Sequence, residues 1–271
     1  VKDKIKIKTM VYVQILFAMH SIMDVFYTNF LPLKEKLLFR AIRFAPFSLL
    51  KRQYKKFLGK QDIIVANSRI TATLLHILYG VEPDGIVYPP LDMDIFRLRN
   101  MRKKNQVLLY LGSHAGDTDE NFVIEICKFL KAKDFKILAM GNAVLKEKLR
   151  REFEIYSVSG VSDEELSKIY SQSKLTICPQ KWETYGYVPV ESMACGTPVL
   201  TFMCMGPGET VLNGKSGWLA ENKQEFLEML NIILDNGEIR MDRDFISKYV
   251  EENFSINASV KKLEEVLREI R

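Results

Sequence analysis

Trp182-Glu183-Thr184-Tyr185-Gly186-Tyr187-Val188-Pro189-Val190-Glu191-Ser192-Met193-Ala194-Cys195-Gly196-Thr197-Pro198-Val199 is the most informative stretch of the 271-residue chain. It follows a short apolar run, Leu175 to Cys178, that reads as a buried strand, and it carries a helix pattern from about Tyr187 to Ala194. A glycine-bearing loop therefore joins strand to helix. Gly186 lets the backbone approach a ligand closely. The helix that starts there points free N–H groups and the positive end of its dipole at the loop, an anion site suited to a diphosphate. Glu183 precedes the helix and Glu191 lies inside it, with seven residues between. One carboxylate reaches the cleft from the loop, and the other accepts hydrogen bonds from hydroxyls lying over the helix. Two glutamates alone would be a solvated pair on an amphipathic helix. With Gly186 and the Gly196-Thr197-Pro198-Val199 exit, they mark a ligand-binding loop.

On either side, strand and helix signals alternate, which predicts parallel sheets with crossover helices. Upstream, Val11 to Phe17 reads as a strand, Leu33 to Leu58 as a basic helical stretch broken near Pro46, and Asp62 to Ala66 as a short buried strand. Ser68 suits the cap of a helix over Arg69 to Tyr79, and Gly80 its end. Gly85 to Tyr88 is a strand stopped by Pro89-Pro90. Residues 91–105 show little periodicity and read as a connection. A second alternation follows: strands at Gln106 to Leu111, Phe135 to Met140 and Glu154 to Val158, helices at Asn121 to Lys131, Val144 to Glu152 and from Asp163, and a strand at Val199 to Phe202. The tail from Lys223 is mostly helical. Such open sheets bind ligands outside the carboxyl ends of their strands.

The composition, 47% apolar and 27% charged, is that of a globular domain and excludes disorder. Cys127, Cys178, Cys195 and Cys204 lack metal-site or redox spacing and read as small buried hydrophobes of a reducing compartment. No signal peptide is evident, and Val11 to Leu33, interrupted by Gln14, His20 and Asp24, reads as a strand and helix rather than a membrane span. The net charge of +5 is uneven: residues 33–60 hold nine basic residues against Glu35 alone, a local charge of +8, interleaved with Leu37, Phe44, Phe47, Tyr54 and Phe57. A solvated basic face and peripheral contact with an anionic membrane both fit this segment. No nucleic-acid-reading motif accompanies it, so nucleic acid is not expected as a partner.

The segment from Glu183 to Glu191 resembles the Glu-x7-Glu motif of retaining GT-B glycosyltransferases of family four. Asp62-Ile-Ile-Val-Ala-Asn-Ser68, Ile86-Val-Tyr-Pro-Pro-Leu-Asp92, Gly160-Val-Ser-Asp-Glu-Glu-Leu166, Gly206-Pro-Gly-Glu-Thr-Val211 and Gly214-Lys-Ser-Gly-Trp-Leu219 resemble further pieces of that family. The resemblance covers roughly residues 60–271. It implies an α/β, GT-B-like fold of two Rossmann-like domains, with the N-terminal one incomplete. The expected organisation is an acceptor-side domain at 1–95, a nucleotide-sugar-binding domain at 104–252 and a C-terminal helix at 253–271. By the same resemblance Glu183 faces the transferred sugar as the catalytic residue and Glu191 meets the ribose hydroxyls. Backbone amides of Tyr185, Gly186 and Tyr187 meet the sugar or diphosphate, Gly160 and Val161 border the base, and Gly112 with Ser113 forms the first donor loop.

The implied activity is transfer of a sugar from a nucleotide diphosphate, GDP-mannose-like or a UDP-sugar, to a glycan or lipid-linked acceptor hydroxyl. The configuration is retained and no metal or other cofactor is needed. Such a protein is expected in the cytoplasm, at the membrane surface if residues 33–60 dock there. Two positions depart from the family. Ser113 stands where an arginine is usual, and Glu120 where a lysine aligns; neither supplies the positive charge that clamps a diphosphate. Lys103, Lys104 and Lys128 are candidates to replace it. The departures also fit an alternative, a catalytically weak nucleotide-sugar-binding module or a subunit of a larger complex.

Overall fold

The computed structural model describes residues 9–14, 47–113, 117–180, 182–235, 239 and 241–269. The chain divides into two compact units: residues 1–89 with 260–271, and residues 90–259. In the first unit a three-stranded parallel sheet is built from β1 (Met10–Val13), β2 (Ile63–Ala66) and β3 (Gly85–Ile86), in that order. Helix α1 (Phe47–Leu58) precedes β2, and α2 (Arg69–Tyr79) follows it. The ends of α2 follow its sequence: the Ser68 side chain accepts the Thr71 N–H, and Gly80 closes the last turn at φ 61°. Ile63, Val65, Val87 and Val266 form a buried cluster in this unit. Residues 15–17 of the expected first strand and the stretch from Leu33 to Pro46 lie outside the described residues.

The second unit is a six-stranded, wholly parallel sheet. Its strands are β4 (Gln106–Tyr110), β5 (Lys136–Met140), β6 (Ile155–Ser157), β7 (Leu175–Cys178), β8 (Val199–Phe202) and β9 (Gly217–Ala220), in the order β6-β5-β4-β7-β8-β9. The near-continuous apolar runs of β4, β7 and β8 are what a sheet covered on both faces requires, and these strands are almost entirely buried. Helices α3 (Glu120–Ala132), α4 (Ala143–Glu152), α5 (Asp163–Gln172) and α6 (Tyr187–Ala194) make the crossovers, followed by the short α7 (Pro207–Thr210) and α8 (Lys223–Asp235). Helices α9 (Arg243–Phe254) and α10 (Ile256–Glu269) complete the chain, α10 passing into the first unit at Val260.

Three of the crossover helices, α3, α4 and α5, start where the sequence provides a side-chain cap. Asp119 accepts the Phe122 N–H, Asn142 accepts those of Val144 and Leu145, and Ser162 forms a reciprocal capping box with Glu165. One core cluster joins Val107, Leu109, Ile137, Ile177 and Leu200 of the sheet to Phe122 and Phe226 of the helices. The rings of Phe122, Phe202 and Phe226 meet with centroids 5.0–5.8 Å apart. Residues 91–105 are laid against this unit: the Leu91 N–H donates to the Phe254 carbonyl at 2.8 Å, Phe96 is buried, and Arg99 pairs with Glu164 of α5.

The strand order fixes where a ligand site can form. From β4 the chain winds outward to β6, then returns to place β7 on the other side of β4. The loops after β4 and β7 therefore diverge over a crevice at the carboxyl ends of these two neighbours, the topological switch point.

Candidate active site

Two loops meet at that crevice. After β4 the chain turns at Gly112, whose φ of +73° favours glycine, and whose Cβ position is filled by the Asp117 side chain at 2.4 Å. The Ser113 N–H donates to Asp117 Oδ2 at 2.8 Å, and the Ser113 hydroxyl lies 3.0 Å from the Tyr110 hydroxyl. After β7 comes the loop of Gln180, Glu183 and Tyr185 to Gly186. The buried Gln180 side chain ties the two loops together by donating to the Tyr110 carbonyl.

Gly186 stands at the start of α6 with φ +90° and ψ 72°, and no side chain caps that end. The Tyr187 and Val188 amides there have no partner within the helix, as the geometry of an α-helix dictates. Pro189, third in the helix, has no N–H to satisfy. The loop before Gly186 is held from behind: the Gly206 N–H donates to the Glu183 carbonyl at 2.8 Å, and a Cβ on Gly206 would lie 2.4–2.5 Å from backbone atoms of Tyr185. The Tyr185 side chain is buried against Tyr187 and Phe254, at centroid separations of 5.1 and 6.2 Å. The Tyr187 ring is 44% exposed.

The carboxylates of Glu183 and Glu191 flank the end of β7. Burial pushes the Cys178 thiol up, and the charges of Glu183 and Glu191 add to it, so both lie within electrostatic reach of this last strand residue. Burial pushes the Tyr110 hydroxyl up to about 12; Glu183 and Asp117 add to the shift, while the Ser113 hydrogen bond opposes it. Glu183 is thus grouped with the Gly112–Ser113 loop. Glu191 looks toward α5. Burial raises its pKa and Asp163 adds to the effect, while the Tyr170 hydroxyl, donating to Glu191 Oε2 at 2.8 Å, opposes it. Asp163 begins α5 directly after the Gly160-Val161-Ser162 turn. Gly160 has open space on its Cβ side, and Val161 is 37% exposed. The nine residues named from the sequence therefore fall on three connections of a single sheet: Gly112 and Ser113 in the loop after β4, Gly160 and Val161 in the turn after β6, and Glu183, Tyr185 and Gly186 in the loop after β7 with Tyr187 and Glu191 on α6.

The lysines considered as substitutes for the missing clamp are committed elsewhere. Lys103 Nζ donates to the Ser173 carbonyl and the Thr197 hydroxyl, and Lys104 Nζ donates to Gln172. Those partners precede β7 and β8, at the amino ends of the strands and the opposite edge from Gly112. Lys128 sits two turns into α3, roughly 12 Å along the helix from its start. Glu120 pairs with Lys148, and Asp119 with Lys223. Three contributors, Tyr110, Tyr170 and Gln180, carry no signal named from the sequence. Tyr110 ends β4 and could have been found from its position two residues before Gly112. Tyr170 and Gln180 act across 21 and 70 residues of chain and leave no local pattern, and the glycine loop that begins at Gly206 does not reveal that Gly206 packs on Tyr185. Among the described residues no group of three His, Cys, Asp or Glu side chains could hold a metal ion.

Comparison with known proteins places this geometry. The family model described as glycosyl transferases group 1 matches residues 94–252, more than half of the chain. The chain is 28% identical over 198 residues to a D-inositol 3-phosphate glycosyltransferase of Rhodococcus erythropolis, covering 62% of this chain and 44% of that one, so it spans less than half the length of this relative. Among solved structures it superposes on sucrose-phosphate synthase from Thermosynechococcus elongatus with a TM-score of 0.67 at 18% identity, covering 81% of this chain and 61% of that one. It also superposes on Anabaena HepE in complex with UDP-glucose, with a TM-score of 0.64 at 15% identity, covering 81% and 67%. At these identities the superpositions establish the fold, two parallel α/β sheets of GT-B type. The chain belongs to the glycosyl transferases group 1 family.

Proposed function

We propose that the chain binds a nucleotide-diphosphate sugar in the crevice outside β4 and β7 and transfers the sugar to an acceptor hydroxyl with retention of configuration. The observation that carries this reading is the convergence of Glu183, Glu191 and the uncapped start of α6 on the carboxyl end of β7. The diphosphate would lie at the Tyr187 and Val188 amides, where free donors and the helix dipole favour an anion. Glu191 would accept the ribose hydroxyls, and Gly160 and Val161 would border the base. Glu183, from the loop, would position the sugar and stabilise positive charge developing at its ring. As the bond from the anomeric carbon to the phosphate oxygen breaks, the acceptor oxygen bonds to the same face. The departing phosphate takes the acceptor proton. We assign the reaction no metal, as the resemblance in sequence implies.

The UDP-glucose held by the HepE structure supports a UDP-sugar as donor. The Gly206-Pro207-Gly208-Glu209 loop supports GDP-mannose instead. The acceptor we infer is a glycan or a lipid-linked hydroxyl at the cytoplasmic face of a membrane. Among the described residues no helix is long and apolar enough to cross a membrane. Arg52, Lys55 and Lys56 of α1 are exposed beside Phe57, itself 47% exposed, which supports peripheral contact through residues 33–60. Proton NMR of the sugar released or transferred from α-linked UDP- and GDP-sugars tests the reaction. An α-configured first product is expected, and a β-configured one would overturn retention. The engagement of Lys103 and Lys104 away from Gly112 favours a second reading, a binding module, for which nucleotide-sugar affinity without product is expected.

A further inference from the structure

Tyr170 is completely buried, and its hydroxyl lies beside Glu191 and Met140, the last residue of β5. Its backbone is fixed from below, where Thr197 Oγ1 donates to the Tyr170 carbonyl at 2.7 Å. Its ring lies 6.3 Å from that of Phe96, which comes from the stretch laid against α5. The hydroxyl has two acceptors in reach, Glu191 Oε2 at 2.8 Å and Met140 Sδ at 3.9 Å. It carries one proton, and a carboxylate oxygen at the shorter distance is the stronger acceptor.

We propose that Tyr170 is a positioning residue for the nucleotide. Its hydroxyl locks one oxygen of Glu191, keeps the carboxylate ionised in a buried setting, and turns Oε1 toward the ribose hydroxyls. The inference rests on the reading of Glu191 given above. Its physical basis is the isolation of that carboxylate. Among the described residues no cation pairs with it; those that face it are Asp163 at the start of α5, Tyr187 on α6, Cys178 at the end of β7, and Cys195, and each disfavours or cannot balance its charge. A half-buried carboxylate in such company holds its charge largely through hydrogen bonds. Tyr170 supplies one, and the bound ribose would supply the others.

The experiment measures UDP and GDP affinity by calorimetry between pH 5 and 8 for the full chain, for Tyr170→Phe, for Glu191→Ala and for the double variant. Ribose binding needs ionised Glu191, so wild-type affinity falls as pH drops through its pKa. Tyr170→Phe removes the bond that holds this pKa down. The midpoint of that fall is therefore expected at higher pH, with about a tenfold loss at pH 7, the scale of one hydrogen bond to a charged group. In the Glu191→Ala background the same substitution is expected to change nothing further. A Tyr170→Phe variant with the wild-type pH midpoint, or with an undiminished effect when Glu191 is absent, overturns the proposal while leaving Glu191 in place. Unchanged affinity in Glu191→Ala, or no binding of either nucleotide to the wild type, overturns the reading beneath it as well. If Tyr170→Phe does not fold, 3-fluorotyrosine at position 170 keeps the shape with a stronger donor. It is expected to move the midpoint to lower pH, and an unmoved midpoint overturns the proposal.

Discussion

Gly206→Ala separates the positioning of the candidate site from its chemistry. Gly206 has ordinary right-handed helical dihedrals, φ −58° and ψ −47°, so alanine incurs no backbone strain there. The obstacle is purely steric: the new methyl would lie 2.4 Å from Tyr185 Cα and 2.5 Å from its N and C atoms. That is about 1 Å short of the ~3.5–4.0 Å separation that carbon atoms prefer, and the clashing atoms are backbone with no rotamer to change. Relief requires the loop of Glu183 to Gly186 to move away from α7 by roughly that distance, stretching the Gly206 N–H bond to the Glu183 carbonyl. Overpacking of this kind costs about 1–3 kcal/mol, or about 4–8 °C in melting temperature at the midpoint of that range for a unit of this size. A ~1 Å displacement of a positioned reactive group lowers turnover by about 10²-fold. Gly208→Ala is the control, because its methyl would meet Met203 backbone at no closer than 3.4 Å. Thermal melts and calorimetry with UDP and GDP read both effects. A Gly206→Ala protein that melts and binds like the wild type, or a Gly208→Ala protein equally impaired, would refute the reasoning.

Glu191→Ala is expected to weaken nucleotide binding by about 1.5–3 kcal/mol with the fold kept; calorimetry giving unchanged affinity would remove Glu191 from the site. Ser113→Arg with Glu120→Lys is expected to tighten diphosphate binding or raise turnover, because two donors aimed at the leaving group are introduced and Lys148 is released from its pair; weaker binding would show that the Gly112 loop does not face the phosphates. Burial, reinforced by Arg243, pushes Lys103 down to about 7. The unfolded chain holds that proton into the ordinary lysine range, so stability is expected to rise with pH above 7, by at most about 1.4 kcal/mol per unit; melting curves of wild type and Lys103→Met that run parallel from pH 6.5 to 9 would contradict this. Changing Lys51, Arg52, Lys55 and Lys56 to Gln is expected to abolish co-sedimentation with anionic vesicles and leave nucleotide binding intact; wild-type binding that is equal for neutral vesicles, or insensitive to salt, would exclude electrostatic docking.

Much of this was legible in the sequence because the signals are local. The helix from Tyr187 to Ala194, the Ser68 and Gly80 caps and the buried runs of β4, β7 and β8 are each written within a few residues. The candidate-site loop was legible for the same reason: strand, glycine and helix follow one another in twenty residues from Leu175 to Ala194. What was not legible is contact across the fold. Tyr170 lies in the helix that starts at Asp163 and nothing near it in sequence marks a site; only the register of α5 against α6 brings its hydroxyl to Glu191. Gly206 is named from the sequence only within a glycine loop that resembles the family's, while its requirement arises from Tyr185 backbone 21 positions earlier. Strand β9 and the short α7 were missed because Gly217-Trp-Leu-Ala220 and Pro207-Gly-Glu-Thr210 are too brief to show a period. Residues 91–105, read as a connection, owe their order to isolated anchors, Phe96, Arg99 and Lys103, which follow no repeat.

The central claim, that a nucleotide-diphosphate sugar lies across the carboxyl ends of β4 and β7, is tested most directly by a thermal-shift titration of the chain with UDP- and GDP-sugars. The titration is run in parallel on Glu183→Gln and Glu191→Ala. A ligand that binds only the folded state raises the melting temperature with its concentration. The expected result is a concentration-dependent rise for at least one donor, retained in Glu183→Gln and largely lost in Glu191→Ala. No rise with any donor, or a rise undiminished in Glu191→Ala, would contradict it.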